Sequence, residues 1–261
     1  MPELPEVERA RALIAERALG RRIAAVDDTD AYVCRPHGPG EIAAALTGRE
    51  LTAAHRRGKA MWLETDGGEG PVLGLHLGMA GRIVVDDAVE GDYWPSGDNG
   101  QPAWDRFALA FEDGGRLVLR DRRRLGRAVL DPAIERLGPD AAEVSRDAFR
   151  RRVGQGAAPL KARIMDQAVI AGVGNLLADE ALWRARLSPR RPAGDLDEAE
   201  LDRLRRDLRA AIRSAIRRGG VHTGELIPHR VRGGRCPRCG AELARAQVGG
   251  RTTYWCPEEQ A

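Results

Sequence analysis

Met1-Pro2-Glu3-Leu4-Pro5-Glu6-Val7-Glu8 opens the chain and sets what the remaining residues must supply. Met1 precedes a small residue, which favours its removal, and Pro2 would then carry a secondary α-amine. A terminal amine titrates near about 7.7–8.0. A useful fraction is therefore neutral at cellular pH and able to form a Schiff base with a carbonyl-like carbon. Glu3 stands beside that amine as a candidate general acid, and Glu6 follows within one helical turn. Pro5 suits the first turn of a helix predicted to run to about Leu19, with Val7, Ala10, Leu13 and Ile14 along its apolar side. The positive end of that helix favours a carboxylate or a phosphate. The same residues also read as an ordinary helix start with well-placed acids.

The opening resembles that of the formamidopyrimidine-DNA glycosylase / endonuclease VIII family. Four further stretches agree, in the family's order: Lys59 in a basic strand, His76-Leu77-Gly78-Met79, Lys161 to Asn175 with Gly172-Val173-Gly174-Asn175, and a terminal cysteine cluster. The resemblance covers essentially the whole chain and implies an α+β fold. Residues 1–130 would form an N-terminal catalytic β-sandwich with flanking helices, 131–220 a helix–two-turns–helix DNA-binding domain, and 221–261 a zinc-finger-like β-hairpin. The DNA cleft is expected between the two main domains.

Composition sets outer limits. The chain has 261 residues, enough for two domains or one large one, each with a core of its own. It has no apolar run of about 18 residues and no charged-then-apolar leader, which points to a soluble protein of the cytoplasm. A net charge of +3 is too small to argue for nucleic acid without a clustered distribution. Among 42 basic side chains only Lys59 and Lys161 are lysines. Where nearly every cation is arginine, a retained lysine suggests a role for a compact ammonium that a guanidinium cannot fill.

From Ile23 to Leu130, short apolar runs alternate with Gly, Pro and Asp turns, the pattern of a sandwich or barrel. Thr65 to Pro71 and Asp86 to Pro102 read as loops, the second long and Gly-rich enough to be mobile. His55-Arg56-Arg57-Gly58-Lys59 places four basic groups at a strand entrance, either a solvated edge or a backbone contact. By resemblance, Lys59 contacts the substrate backbone and aids proton transfer. Met79 occupies a glycine-rich turn, suited to a wedge in a base stack or to core packing. In the family this methionine helps fill the space left by an extruded nucleotide, and Arg124 and Leu125 match its two companions. Leu125 replaces the family's common Phe; it still wedges but stacks poorly. Trp104-Asp105-Arg106 likewise replaces a histidine-flanked Asp.

After a linker at Asp131-Pro132 and Leu137 to Asp140, the composition turns helical, with Ser145 as a candidate cap. Leu160 to Gln167, a Gly-rich turn, and Leu176 to Leu187 read as helix–turn–helix, with glycines that allow close approach to a phosphate. By resemblance Lys161 and Asn175 bind phosphate, and Glu180 matches a family carboxylate of structural character. Asp197 to Arg218 is amphipathic, with Leu201, Leu204, Leu208, Ile212 and Ile216 on one face and an incidental basic face opposite. Only Val221 to Arg235 separate Gly220 from Cys236, shorter than the base-covering loop of relatives specialised for 8-oxoguanine.

Cys236-x-x-Cys239 is an intact metal knuckle, whereas the partner of Cys256 falls at Glu259. Zinc accepts carboxylate oxygen, so a site of Cys236, Cys239, Cys256 and Glu259 is one reading. His222 or His229 as fourth ligand, or a metal-free hairpin packed by Tyr254 and Trp255, are others. Cys34 stands apart as a core thiol. Arg251 matches the hairpin arginine that grips phosphate beside the lesion.

Together these implications describe a bifunctional glycosylase and abasic-site lyase acting as a monomer on damaged double-stranded DNA. Pro2 is the nucleophile, and Glu3, Glu6, Lys59 and Arg251 assist it. Met79, Arg124, Leu125, Lys161 and Asn175 hold the DNA. Two alternatives stand beside it: a lyase for abasic sites or other adducts with little 8-oxoguanine activity, and a catalytically silent binder of damaged DNA.

Overall fold

The computed structural model describes residues 2–89 and 101–260. The chain forms two compact units, one of Met1–Pro2 and Glu6–Ile134, the other of Glu3–Pro5 and Glu135–Ala261. Among the described residues no helix is long and apolar enough to cross a membrane.

The first unit holds most of α1 (Leu4–Arg17), then β1 (Ile23–Asp27), α2 (Ala31–Cys34), α3 (Glu41–Leu46), β2 (Leu51–Arg57), β3 (Ala60–Thr65) and β4 (Leu73–His76). It continues with β5 (Arg82–Val85), β6 (Ala88–Val89), β7 (Asp105–Phe111), β8 (Arg116–Arg120) and β9 (Arg127–Leu130). Two antiparallel sheets result, ordered β1-β7-β8-β5-β6 and β2-β3-β4-β9. Along β3, Met61, Leu63 and Thr65 turn inward while their neighbours stay partly open, the period of two expected of a strand with one buried face. Ile23, Phe107, Leu109 and Leu119 of one sheet share a core with Leu51, Met61, Leu63 and Leu75 of the other, and Val7, Ala10 and Ile14 of α1 join it. This is the expected β-sandwich. Differences are local. Helix α1 stops at Arg17 rather than Leu19, before the left-handed Gly20. Lys59 lies in the Gly58-Lys59 turn between β2 and β3 rather than within a strand. Of the long loop expected over 86–102, Ala88–Val89 pair as a strand and residues 90–100 lie outside the described residues. Cys34 is buried, and burial together with Asp28, Asp30 and Asp27 pushes its pKa up to about 12, as befits a core thiol.

One loop of this unit rests on a buried carboxylate. Asp121 accepts Arg123 N at 2.9 Å on one oxygen and Leu125 N and Gly126 N, both at 2.7 Å, on the other. That triple acceptance holds Arg124 in the left-handed region at φ 55°. The turn carrying Met79 lies against this loop. A Cβ on Gly78 would stand 2.4 Å from the carbonyl of Leu125, and Gly78 itself has φ +60°.

The second unit contains α4 (Arg146–Val153), α5 (Leu160–Met165), α6 (Asn175–Ala185), α7 (Glu198–Arg218) and the hairpin of β10 (Ala244–Val248) with β11 (Arg251–Trp255). Ser145 caps α4 as expected, its Oγ accepting Ala148 N at 3.3 Å. Asp197 and Glu200 form a capping box on α7, and Gly219 closes that helix at φ 99°. Leu201, Leu204, Leu208 and Ile212 are buried, with Ile216 packed at the margin. The basic face of α7 is less incidental than expected: Arg203 and Arg205 donate to the carbonyls of Ala185 and Val144 at 2.9 and 2.8 Å, and so tie α7 to the end of α6 and to the turn before α4. The hairpin turns on Gly249-Gly250, both at positive φ as a two-residue turn requires. Its tip meets α5, since a Cβ on Gly249 would lie 2.8 Å from Ala162 Cβ.

Two alanine substitutions separate strain from contact. Gly20→Ala faces positive φ but nothing within 4 Å, and should cost about 1 kcal/mol in urea denaturation. Gly78→Ala adds overlap with the Leu125 backbone and should cost about 3 kcal/mol or more. Equal losses would show that the packing of the Met79 turn on the 121–126 loop contributes nothing.

Candidate active site

Glu3 is buried, and its carboxylate is docked on the start of α6. Gly174 N and Leu177 N donate to one oxygen at 3.0 Å each, and Leu176 N donates to the other at 2.9 Å. Leu4 N extends the same seam to Gly172 O at 3.1 Å. The Gly-rich turn admits this contact: a Cβ on Gly174 would lie 2.2 Å from Glu3 Cδ, and Gly172 takes φ +113°. Amides left unpaired by the first helical turn, and the positive end of the helix, both favour a carboxylate there. Glycines expected to approach a phosphate therefore first receive the chain's own acid. Pro2, half-buried, directly precedes Glu3. Glu6 is half-buried in the first turn of α1.

Lys161 is wholly buried. Its Nζ donates to Asn175 Oδ1 and Thr253 Oγ1, each at 2.7 Å, and lies 2.7 Å from Asp179 Oδ1. Arg230 Nε donates to the other oxygen of Asp179 at 2.8 Å, and Tyr254 N reaches that same oxygen at 3.2 Å. Burial pulls the Lys161 pKa below the usual lysine value, against the pull of Asp179. Lys161, expected to contact phosphate, has no exposed surface here, and its ammonium is engaged by Asn175, Thr253 and Asp179, with Thr252 O at 3.4 Å. Among these contacts it meets Asn175 through Oδ1. The site also explains the retained lysine: three acceptors converge on one point, which suits a compact ammonium and not a planar fork. Sequence reasoning missed Asp179, Thr253 and Arg230. The available signal was Asp179-Glu180 within an otherwise apolar helix. Glu180 is buried as well, and accepts Glu225 N, Leu226 N and Arg184 Nε, a structural role.

In the first unit, Met79 is an exposed apolar side chain at 42 %, and its turn lies against the loop that carries Arg124 and Leu125. Those three predicted residues are brought together. His76 Nδ1 accepts Gly78 N at 3.0 Å, and desolvation of the ring together with the nearby Lys59 charge holds its pKa below the ordinary histidine value. In the second unit Arg251 is exposed at the start of β11, directly after the Gly-Gly turn.

The sulfur atoms of Cys236, Cys239 and Cys256 lie within 4.8 Å of one another, and those of Cys239 and Cys256 are 3.4 Å apart. Trp183 Nε1 donates to Cys236 Sγ at 3.4 Å. Three convergent soft donors fit zinc. Neither Glu259 nor His222 nor His229 joins this cluster among the described residues. Glu259 instead accepts Arg238 Nη1 at 2.7 Å and lies 3.6 Å from Arg186, so the expected carboxylate ligand is engaged as an ion-pair partner. Gln260 takes over part of the closing role, since its Oε1 accepts Cys256 N at 2.8 Å and its Nε2 donates to Leu187 O at 2.9 Å.

Three family models match the chain in order: the formamidopyrimidine-DNA glycosylase N-terminal domain over residues 1–128, the H2TH domain of the same family over 137–225, and the zinc finger found in FPG and IleRS over 233–258. A formamidopyrimidine-DNA glycosylase of Roseiflexus sp. (strain RS-1) is 36% identical, covering 100% of both chains. One from Nocardioides sp. (strain ATCC BAA-499 / JS614) is also 36% identical, over 98% of this chain and 93% of its own. Among solved structures, Lactococcus lactis Fpg in complex with abasic-site DNA aligns at a TM-score of 0.82 and 26% identity, covering 100% of both chains. MutM in complex with DNA containing carbocyclic 8-oxo-G aligns at 0.83 and 28% identity, again over 100% of both.

The Lys161 centre makes a specific demand. Lys161→Arg should destabilise the protein by about 2–4 kcal/mol in chemical denaturation, because the larger fork must enter a closed site. A loss below about 0.5 kcal/mol, typical of surface changes, would mean that the ammonium is not confined as described.

Proposed function

The chain belongs to the formamidopyrimidine-DNA glycosylase family, and on that premise we propose that it acts in base excision repair, removing an oxidised base from duplex DNA and then cutting the strand as an abasic-site lyase. The observation that carries this reading is the Glu3 carboxylate, fixed by three backbone amides directly after Pro2.

The damaged nucleotide must leave the stack, because its C1′ cannot be reached inside a duplex. Once Met1 is removed (it lies outside the described residues), the neutral Pro2 amine attacks C1′. The N–C1′ bond forms, and the base departs with the electron pair of the glycosidic bond. Three backbone amides fix the Glu3 carboxylate beside the amine. Glu3 takes the proton shed by the amine and returns it to the sugar-ring oxygen or the departing base. Its fixed charge also stabilises the cationic iminium that follows. That iminium acidifies the 2′ hydrogens, and elimination breaks the strand on both sides of the lesion. Lys59 assists proton transfer and, with Arg251 and Asn175, holds phosphates, while Lys161 positions Asn175. Glu6 supplies a second carboxylate within a turn of the amine. Met79, Arg124 and Leu125 occupy the space left by the extruded nucleotide. Such contacts are salt-sensitive and independent of sequence. The protein works as a monomer on DNA within the cell.

Zinc on Cys236, Cys239 and Cys256 would brace the hairpin that presents Arg251; Glu259, paired with Arg238 through Oε2, would have to turn toward the cysteines to become the fourth ligand. A second reading, a lyase for abasic sites or other adducts with little 8-oxoguanine activity, draws support from Leu125 and from the short stretch between Gly220 and Cys236.

Borohydride trapping on duplexes with an abasic site, 8-oxoguanine, formamidopyrimidine or dihydrouracil tests both readings. A covalent adduct mapped to Pro2, absent when Met1 is retained, is expected, and the lesion ranking separates the two. No adduct on any duplex, from protein with a verified Pro2 terminus and intact DNA binding, leaves only a silent binding protein. Glu3→Gln should slow base excision by about 10²-fold or more; near-normal excision would remove Glu3 from the mechanism. Elemental mass spectrometry should find zinc in the purified protein and lose it in Cys239→Ser, whereas a metal-free parent protein would assign the finger's order to Gln260 and the Glu259–Arg238 pair.

A further inference from the structure

Arg124 is held at both ends. Its backbone takes φ 55° in the loop braced by Asp121. Its guanidinium donates from Nε to Asp30 Oδ2 at 2.9 Å and from Nη2 to Asp30 Oδ1 at 2.7 Å. Asp30 is fixed in turn. It is the N-cap of α2, with Oδ1 accepting Tyr32 N at 3.1 Å and Val33 N at 3.2 Å. Its side chain is 10 % exposed, against 50 % for Arg124. Partial burial opposes its ionisation, yet the Arg124 fork and the two amides hold its pKa below the usual carboxylate value. Arg106 approaches the outer oxygen at 3.9 Å, and the exposed Tyr32 ring lies 5.9 Å from the Arg124 guanidinium. No part of the mechanism described above uses Asp30.

We propose that Asp30 is a positioning residue that determines which edge of Arg124 meets the base left opposite the lesion. The inference rests on the reading of Arg124 as an occupant of the vacated space. A guanidinium carries five N–H donors in a fixed plane. Asp30 consumes the Nε–Nη2 edge, and Nη1 has no hydrogen-bond partner among the described residues. What remains is an end with two parallel donors, one on Nη1 and one on Nη2. That end matches a base edge with two adjacent acceptors and is mismatched against an edge that carries a donor there. An unlatched arginine presents any edge to any base, and so discriminates less. The latch also lowers the rotamer freedom that Arg124 loses on binding.

The test is single-turnover excision of one lesion placed opposite each of the four bases, by the unaltered protein, Asp30→Asn, Arg124→Ala and the double variant. Asn retains a capping oxygen but offers no charge and no second acceptor to the fork. Asp30→Asn should narrow the spread between the best and worst opposite base by about fivefold or more. Arg124→Ala should narrow it at least as far, and adding Asp30→Asn to it should change nothing further. An unchanged or wider spread in Asp30→Asn, beside a narrowed one in Arg124→Ala, overturns the role of Asp30. An unchanged spread in Arg124→Ala overturns the placement of Arg124 itself, and absence of excision by the unaltered protein overturns the glycosylase reading. If Asp30→Asn melts well below the parent, Asp30→Ser serves instead. Its hydroxyl still caps α2 but cannot hold the fork, and Arg124 keeps all its donors, so a narrowed spread supports the latch and an unchanged one overturns it.

Discussion

A buried carboxylate needs hydrogen-bond donors, and a helix start has amides to give; Glu3 and α6 meet each other's need. Much of the second unit follows from that exchange. Gly174 cannot carry a side chain, because Glu3 fills the space beside it, and Gly172, at positive φ, offers its carbonyl to Leu4 N. Leu4 follows Glu3 into the same core, where it is buried with Val173, Leu177 and Ile170. The two N-terminal residues of a free chain are ordinarily frayed. Here the third is immobilised by three bonds, so Pro2 before it has a defined anchor for the role proposed above. A nucleophile on a chain terminus gains most from such anchoring, since misplacement of a reacting group by about 1 Å costs roughly 10²-fold in rate.

The charged centre at Lys161 works by a different balance. Its ammonium, the Asp179 carboxylate and the Arg230 guanidinium are nearly or wholly withdrawn from water, which is costly unless every member is paired. All are paired, and the partners come from α5, α6, the stretch after α7 and β11. A polar centre of this kind adds little net stability but penalises any arrangement that leaves a charge alone. It therefore ties the hairpin to the helices in one register. The cysteine cluster holds the hairpin's far end, where Gln260 and the Glu259–Arg238 pair stand in place of a second complete knuckle.

In the first unit, two aspartates shape one probe. Asp121 organises the backbone of residues 123–126, and Asp30 orients the Arg124 side chain. Rigid presentation lowers the ordering cost of binding, which otherwise offsets much of what a contact contributes. The exposed Met79 beside this loop sits on a turn that His76 braces, its Nδ1 accepting Gly78 N.

The sequence by itself determined the order of the elements, because their signals are local. Alternating burial in β3, the capping box at Asp197, the cap at Ser145 and the Gly-Gly turn are set by neighbours a few residues apart, and the motifs around Pro2, Gly174 and Cys236 were legible for the same reason. What only the tertiary structure decided concerns partners far apart in the chain. Lys161 looks like a free cation until Asp179, Asn175 and Thr253 enclose it. Glu259 has the spacing of a metal ligand, but the fold sets its Oε2 against Arg238 and Arg186. Asp30 has no motif at all, and its meeting with Arg124 depends on packing that brings α2 beside the loop after β8. Spacing along a chain specifies which groups are available, but long-range packing specifies which of them remain in water, and a charge changes its role once it leaves water.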